Sequence, residues 1–212
     1  MGQLSRITTV QSAEFLEPPQ VRVPGAVQDR VITAVNDNVR SLETTKYYRI
    51  IPRGFREDCR AYVDRQHEWN GLDERGLPPF LLGGDYVMTF NDDKIVTEIE
   101  MAITLSQPAT LYVIVDDRVT PPEWLTRDFV NTQWDVGSDE GYDDHEIAAG
   151  VGAGLSLDRI CSVWRREVPE PTTVMLGALS HEKSTKTARE VERSMYGIVA
   201  TPLYRERSRP SE

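Results

Sequence analysis

The stretch Glu98-Ile-Glu-Met-Ala-Ile-Thr-Leu-Ser-Gln-Pro-Ala-Thr-Leu-Tyr-Val-Ile-Val-Asp-Asp-Arg-Val-Thr-Pro-Pro-Glu-Trp124 decides the fold class. Ile99, Met101, Ile103 and Leu105 alternate with Glu98, Glu100, Ala102 and Thr104. A period of two places the four apolar side chains on one face of a strand. Ser106-Gln107-Pro108 interrupts the pattern, and from Ala109 to Val115 nearly every residue is apolar or β-branched. Such a run suits a strand buried on both faces, ended here by Asp116-Asp117-Arg118. Two strands joined by three residues that include Ser and Pro predict a β-hairpin.

Working outward, strand-like segments recur about every ten residues, which is the rhythm of a sandwich. They are Val31–Val35, Tyr47–Ile51, Asp85–Phe90, Thr132–Val136, Cys161–Val168, Thr172–Leu176 and Met195–Ala200. Phe55, Cys59, Tyr62 and Val63 fall at helical spacing, so Phe55–Arg65 is expected to form one short helix ending near Gly71. Phe80-Leu81-Leu82 is expected to tuck under the sandwich edge. The predicted fold is mainly β: an antiparallel β-sandwich of jelly-roll or Ig-like type with long loops. Its organisation is a poorly structured lead-in over 1–45 with one or two edge strands, a sandwich over 46–203, and a frayed tail over 204–212.

Composition narrows the function classes. The 212 residues carry 24 Lys plus Arg against 34 Asp plus Glu, a formal charge of -10. That balance disfavours a phosphate backbone or an anionic membrane as partner, and no nucleic acid is expected. No apolar run approaches the roughly 20 residues of a membrane span, so no membrane insertion is expected of this chain. No basic start followed by an apolar core marks a secretion signal. Read as complete, the chain would be cytoplasmic; read as part of a longer membrane-anchored protein, it would be extracytoplasmic. Cys59 and Cys161 have no CxxC spacing, which excludes a cysteine-based zinc site. One long-range disulfide and two free thiols are both consistent with them.

Three groups of side chains are candidates for chemistry. Asp116, Asp117 and Glu123 follow the apolar run, and paired carboxylates serve glycoside cleavage when about 5 to 9.5 Å apart across a sugar. Adjacency in sequence supplies no such separation, and a solvated turn neutralised by Arg118 is the simpler reading. Asp135, Asp139, Glu140, Asp143, Asp144 and Glu146 crowd a Gly-bearing segment expected to be a long surface loop. Calcium takes oxygen ligands of this kind, with Asp139, Glu140, Asp143 and Asp144 as the candidate set, although the spacing is not that of an EF-hand. Trp69, Trp124, Trp134 and Tyr142 are candidates for an aromatic platform on which a sugar ring stacks, with Glu123 beside Trp124. Trp124, after two prolines, is the one expected to be exposed; a sandwich tryptophan is otherwise core. No P-loop, GxGxxG, GxSxG or HExxH pattern occurs, and no further cofactor is expected.

Several phrases taken together carry a resemblance. They are Tyr62-Val63-Asp64-Arg65, His67-Glu68-Trp69-Asn70-Gly71, Gly84-Asp85-Tyr86-Val87, Asn91-Asp92-Asp93-Lys94, Pro108–Val113, Pro122-Glu123-Trp124-Leu125, Ser162–Arg166 and Met195-Tyr196-Gly197-Ile198. Over roughly residues 20 to 200 the chain resembles the C-terminal region of FecR-like surface proteins from planctomycetes. From Leu111 to Gly177 it looks more loosely like a β-sandwich module appended to bacterial secreted polysaccharide-degrading proteins. The second resemblance implies an accessory, non-catalytic module that binds a glycan or an envelope component. The first implies a scaffold or signalling portion of a transmembrane regulator with a protein partner. A polysaccharide-active enzyme is the third expectation. Neither resemblance supplies catalytic residues.

Overall fold

A computed structural model describes residues 30–40, 44–140, 152–154 and 157–203. The strands are β1 (Ile32–Asp37), β2 (Arg49–Ile51), β3 (Cys59–Arg60), β4 (Glu68–Asn70), β5 (Asp85–Met88), β6 (Met101–Leu105), β7 (Ala109–Asp116), β8 (Val130–Asp139), β9 (Arg159–Val168), β10 (Thr172–Leu176) and β11 (Gly197–Pro202). Two short helices, α1 (Thr44–Tyr47) and α2 (Glu123–Asp128), interrupt them. The fold is mainly antiparallel β, with two sheets in a sandwich arrangement. One sheet runs β1-β6-β10, and the other runs β2-β5-β11-β7-β9-β8-β4-β3.

The opening stretch does form two strands, but they are not a hairpin. β6 lies between β1 and β10 in the small sheet, and β7 lies between β11 and β9 in the large one. Both edges of each strand are thus occupied, and Ser106–Pro108 is a corner that carries the chain from one layer to the other. The two patterns now have separate causes. β6 alternates because only one face looks inward: Met101, Ile103 and Leu105 are buried, while Ala102 and Thr104 are half exposed.

β7 is buried at all eight positions because the large sheet is the middle of three layers. Paired residues of adjacent strands share a face, so Tyr112, Val163 with its partner Ile114, and Val199 look one way, while Leu111, Val113 and Ile198 look the other. The first face is covered by the segment from Phe55 to Leu81. Phe55 meets Tyr86 edge-on at 5.7 Å, and Phe80 stacks on Tyr112 at 5.3 Å. The second face receives the small sheet. There the buried Asp85 carboxylate accepts the Val31 and Ile32 N–H groups at 2.6 and 3.1 Å, and the Arg53 N–H at 2.9 Å. β1 pairs with β6 over nearly its whole length, so the sandwich includes residues from Ile32 onward.

The helix expected over Phe55–Arg65 does not form. Asp58 sits at φ +56°, in the left-handed region, and the backbone turns outward to make sheet-like bonds instead. Ala61 N–H donates to His67 O at 2.7 Å and Val63 N–H to Thr89 O at 2.9 Å. Phe55, Cys59 and Tyr62 are buried as their spacing suggested, but under the middle sheet rather than along a helix. Gly71 accordingly follows β4 and ends no helix. The helix that does follow the apolar core is α2, starting directly after Pro121-Pro122.

Candidate functional site

Of the four tryptophans, Trp134 alone among the sequence candidates presents a large free surface, with 49% of it exposed. A bulge in β8 puts it there. Asn131 pairs with Trp164 and Asp135 with Ser162, so four residues on β8 span two on β9. The extra length is cinched by side chains: Asn131 Oδ1 accepts the Gln133 N–H at 2.7 Å, and Thr132 Oγ1 accepts the Trp134 N–H at 3.2 Å while donating to Val163 O at 2.8 Å. Gln133 takes φ +63°. Bulges re-aim side chains in this manner.

The Trp134 ring meets Phe80 edge-on at 5.9 Å, and Phe80 lies nearly parallel to Tyr112, at 24°. The three rings form a ledge at one end of the face covered by the Phe55–Leu81 segment. Tyr112 is opposite Arg165 on β9, and Arg165 is opposite Val130 on β8, so these side chains share that face. Val130 is 66% exposed and Arg165 is exposed as well. The rings are held by packing against the buried middle strand, which leaves them little rotational freedom to lose when a flat apolar ligand docks.

The other aromatic candidates are corrected by their packing. Trp69 is 1% exposed, facing the core from β4, and its ring occupies the space a side chain at Gly197 would need: a Cβ there would lie 2.7 Å from Trp69 Cζ2. Trp124, expected at the surface, is half-buried. The first turn of α2 rolls it inward, where Nε1 donates to Ala178 O at 2.9 Å and the ring meets Tyr196 and Phe129 edge-on. Glu123 is exposed on α2, while the neighbouring indole is half-buried against Ala178, Phe129 and Tyr196. Tyr142 lies outside the described residues.

The sandwich resembles part of a β-glucuronidase from glycoside hydrolase family 2. The match has a TM-score of 0.55 and 19% identity, and it covers 74% of this chain but 14% of that one. The shared part is a β-sandwich, and the chain spans about one seventh of that enzyme's length. No family model and no curated protein matches the sequence.

The acidic candidates serve the architecture. Asp116 is buried; burial pushes its carboxyl up, but the Arg118 guanidinium at 2.5 Å and the N–H groups of Arg118 and Ser194 outweigh this and hold it below its usual range. Asp117 accepts both the N–H and the hydroxyl of Ser162, at 3.0 and 2.5 Å. Asp116 thus ties the chain at Ser194 and Asp117 ties β9; neither carboxylate faces Glu123 across a cleft in the described contacts.

The segment expected as a loop from Asp135 onward is strand as far as Asp139, because β8 continues antiparallel to both β9 and β4. Asp139 is buried opposite Glu68, whose own carboxyl is raised by burial and by the charges of Asp58 and Asp139. Glu140 is raised by burial and drawn back by Arg159, with which it pairs at 3.0 Å. Asp143 and Asp144, the rest of the candidate calcium set, lie outside the described residues, as does Glu146. Among the described residues no three His, Cys, Asp or Glu side chains converge to hold a metal ion.

The cysteines are both free and buried. Cys59 on β3 and Cys161 on β9 are separated by β4 and β8, three strand spacings or roughly 14 Å. A disulfide needs Cα atoms within about 7 Å. Sequence reading missed Phe80, Tyr112, Val130 and Arg165 as members of the ledge. The signal for them was Asn131-Thr132-Gln133, whose side chains favour local backbone bonds over a regular ladder.

Proposed function

We propose that this chain is a non-catalytic β-sandwich module that holds a glycan on the Trp134 ledge, as an accessory part of an envelope or surface protein. The observation that carries the reading is Trp134: a half-exposed indole aimed outward by a cinched bulge and braced by Phe80 on Tyr112. A sugar ring offers an apolar C–H face and a rim of hydroxyls, and an indole with adjoining polar side chains complements both. The exposed Gln133 beside the indole and the exposed Arg165 on the Tyr112 face supply that polar rim. The sandwich shared with a β-glucuronidase supports a place in carbohydrate-handling proteins. Among the described residues no helix is long and apolar enough to cross a membrane, so anchoring would fall to another part of such a protein.

A glycan array followed by titration calorimetry tests this. Trp134→Ala is expected to weaken the best array ligand roughly 30-fold, the loss of an aromatic hot spot, while the melting temperature stays near that of the parent. Equal affinity of parent and variant, or no binding across the array, refutes the glycan reading.

A further inference from the structure

We infer that the glycan held on the Trp134 ledge is acidic, bearing a uronate carboxylate or a sulfate ester that Arg165 receives. This rests on the ledge being a glycan platform and adds the class of sugar. Of the fifteen described arginines, six are held in ion pairs: Arg40 with Asp37 and Asp93, Arg65 with Asp64 and Asp92, Arg75 with Asp73, Arg118 with Asp116, Arg127 with Asp128 and Arg159 with Glu140. The Arg165 guanidinium makes no hydrogen bond or ion pair with a described residue. It is exposed, opposite Tyr112 on one side and Val130 on the other, which places it at the foot of the Phe80 and Trp134 rings.

A guanidinium unpaired among the described residues, beside a stacking surface on a chain of charge -10, is a local exception to the protein's field. Its planar fork of donors fits two oxygens of one carboxylate or sulfate. The charged group next to it on this face of β9 is Glu167, two residues further along and opposite Thr110, about 7 Å away along the strand; Arg159 and Asp116 lie towards the other end of the same face, each in an ion pair of its own. Arg165 and Glu167 both act on Tyr112, with opposite sign. Glu167 therefore sets the direction of the ligand: the anion lies on the Arg165 side, and a second anion beyond it is repelled.

The probes are two matched pairs, pectate with its fully methyl-esterified form and dextran sulfate with dextran, read by affinity electrophoresis and calorimetry. The parent protein is expected to bind a charged member at least tenfold more tightly than its neutral partner, despite the general repulsion between two anions. Arg165→Gln should remove roughly tenfold of that affinity and lower the neutral partner's far less, so that the gap between the two closes. Glu167→Gln should strengthen it, and added salt should weaken it. A response to pectate alone identifies a carboxylate, and to dextran sulfate alone a sulfate ester; either sustains the inference. Equal binding of charged and neutral partners, untouched by Arg165→Gln, overturns it while leaving the glycan platform standing. No retardation by any polymer, for parent and Trp134→Ala alike, overturns both.

Discussion

Removing the Asp85 carboxylate should loosen the sandwich at the point where its layers meet. Asp85 sits on β5 in the large sheet and is 3% exposed. One of its oxygens accepts the Val31 and Ile32 N–H groups at the start of β1, and the other accepts Arg53 N–H. Asp85→Ala leaves three N–H groups without this acceptor, two of them in buried residues. Bonds to a charged group contribute about 1.5 to 3 kcal/mol each. Water can reach Arg53, so the two inner bonds dominate, and the expected loss is about 4 kcal/mol. Against a typical total of about 5 to 15 kcal/mol, this is a large fraction. With a urea slope of about 2 kcal/mol/M, the midpoint should fall by roughly 2 M at unchanged slope. Asp85→Asn keeps one acceptor oxygen and should fall between parent and Ala. Equilibrium urea unfolding followed by tryptophan fluorescence reads both. A midpoint shift under about 0.5 M for Asp85→Ala would refute the reasoning, since β1 would then be held by β6 alone.

Two further outcomes are expected. Burial, reinforced by the nearby Arg65 and Lys94 charges, pushes the His67 imidazole down to about 4, below its ordinary value, so the unfolded chain takes up this proton first as pH falls. His67 therefore costs no stability above about pH 6.5 and progressively more between there and pH 4, about 3 kcal/mol at most; His67→Gln should flatten that part of the pH dependence of the urea midpoint, and an unchanged slope relative to the parent would count against it. Burial also raises Cys59 to about 11 and Cys161 well above its usual value, so a thiol reagent at pH 8 should label neither in native buffer and both in urea, and rapid native labelling of either would contradict their buried, protonated state.

How much of this was legible beforehand depends on whether a feature is set locally. The alternation of Ile99 to Leu105 and the unbroken apolar run of β7 report burial directly, and both strands stand where their patterns placed them. Which strands pair is a matter of distant partners. β6 meets residues near 35 and 174, and β7 meets residues near 165 and 199, so the short Ser106–Pro108 link suggested a hairpin that long-range pairing overrides. Phe55, Cys59 and Tyr62 show the same limit: spacing reported that they are buried, not that a left-handed Asp58 turns them under a sheet.

At the candidate site, aromatic content was visible but exposure was not. Trp69 and Trp124 are enclosed by Gly197 and Gly177, glycines more than fifty residues away in the chain, where any side chain would collide with the indole. Trp134 is outside because two extra residues in β8 turn it there. Phe80 and Arg165 join it only through the stacking of three layers, which no local pattern encodes. The acidic run from Asp135 looked like solvent-facing loop because its charges hide a strand whose last residue, Asp139, is buried.

The position of β11 has a consequence for synthesis on the ribosome. This last described strand, Gly197–Pro202, lies between β5 and β7 and pairs with both. Until it has left the exit tunnel, β2-β5 and β7-β9-β8-β4-β3 are two separate pieces, each with an open edge where the middle of the sheet will be. Edges of that kind are templates for pairing with another chain. The nascent protein thus keeps the middle of its large sheet unfinished until β11 arrives, and the holdase chaperones that shield such edges would matter most over that interval.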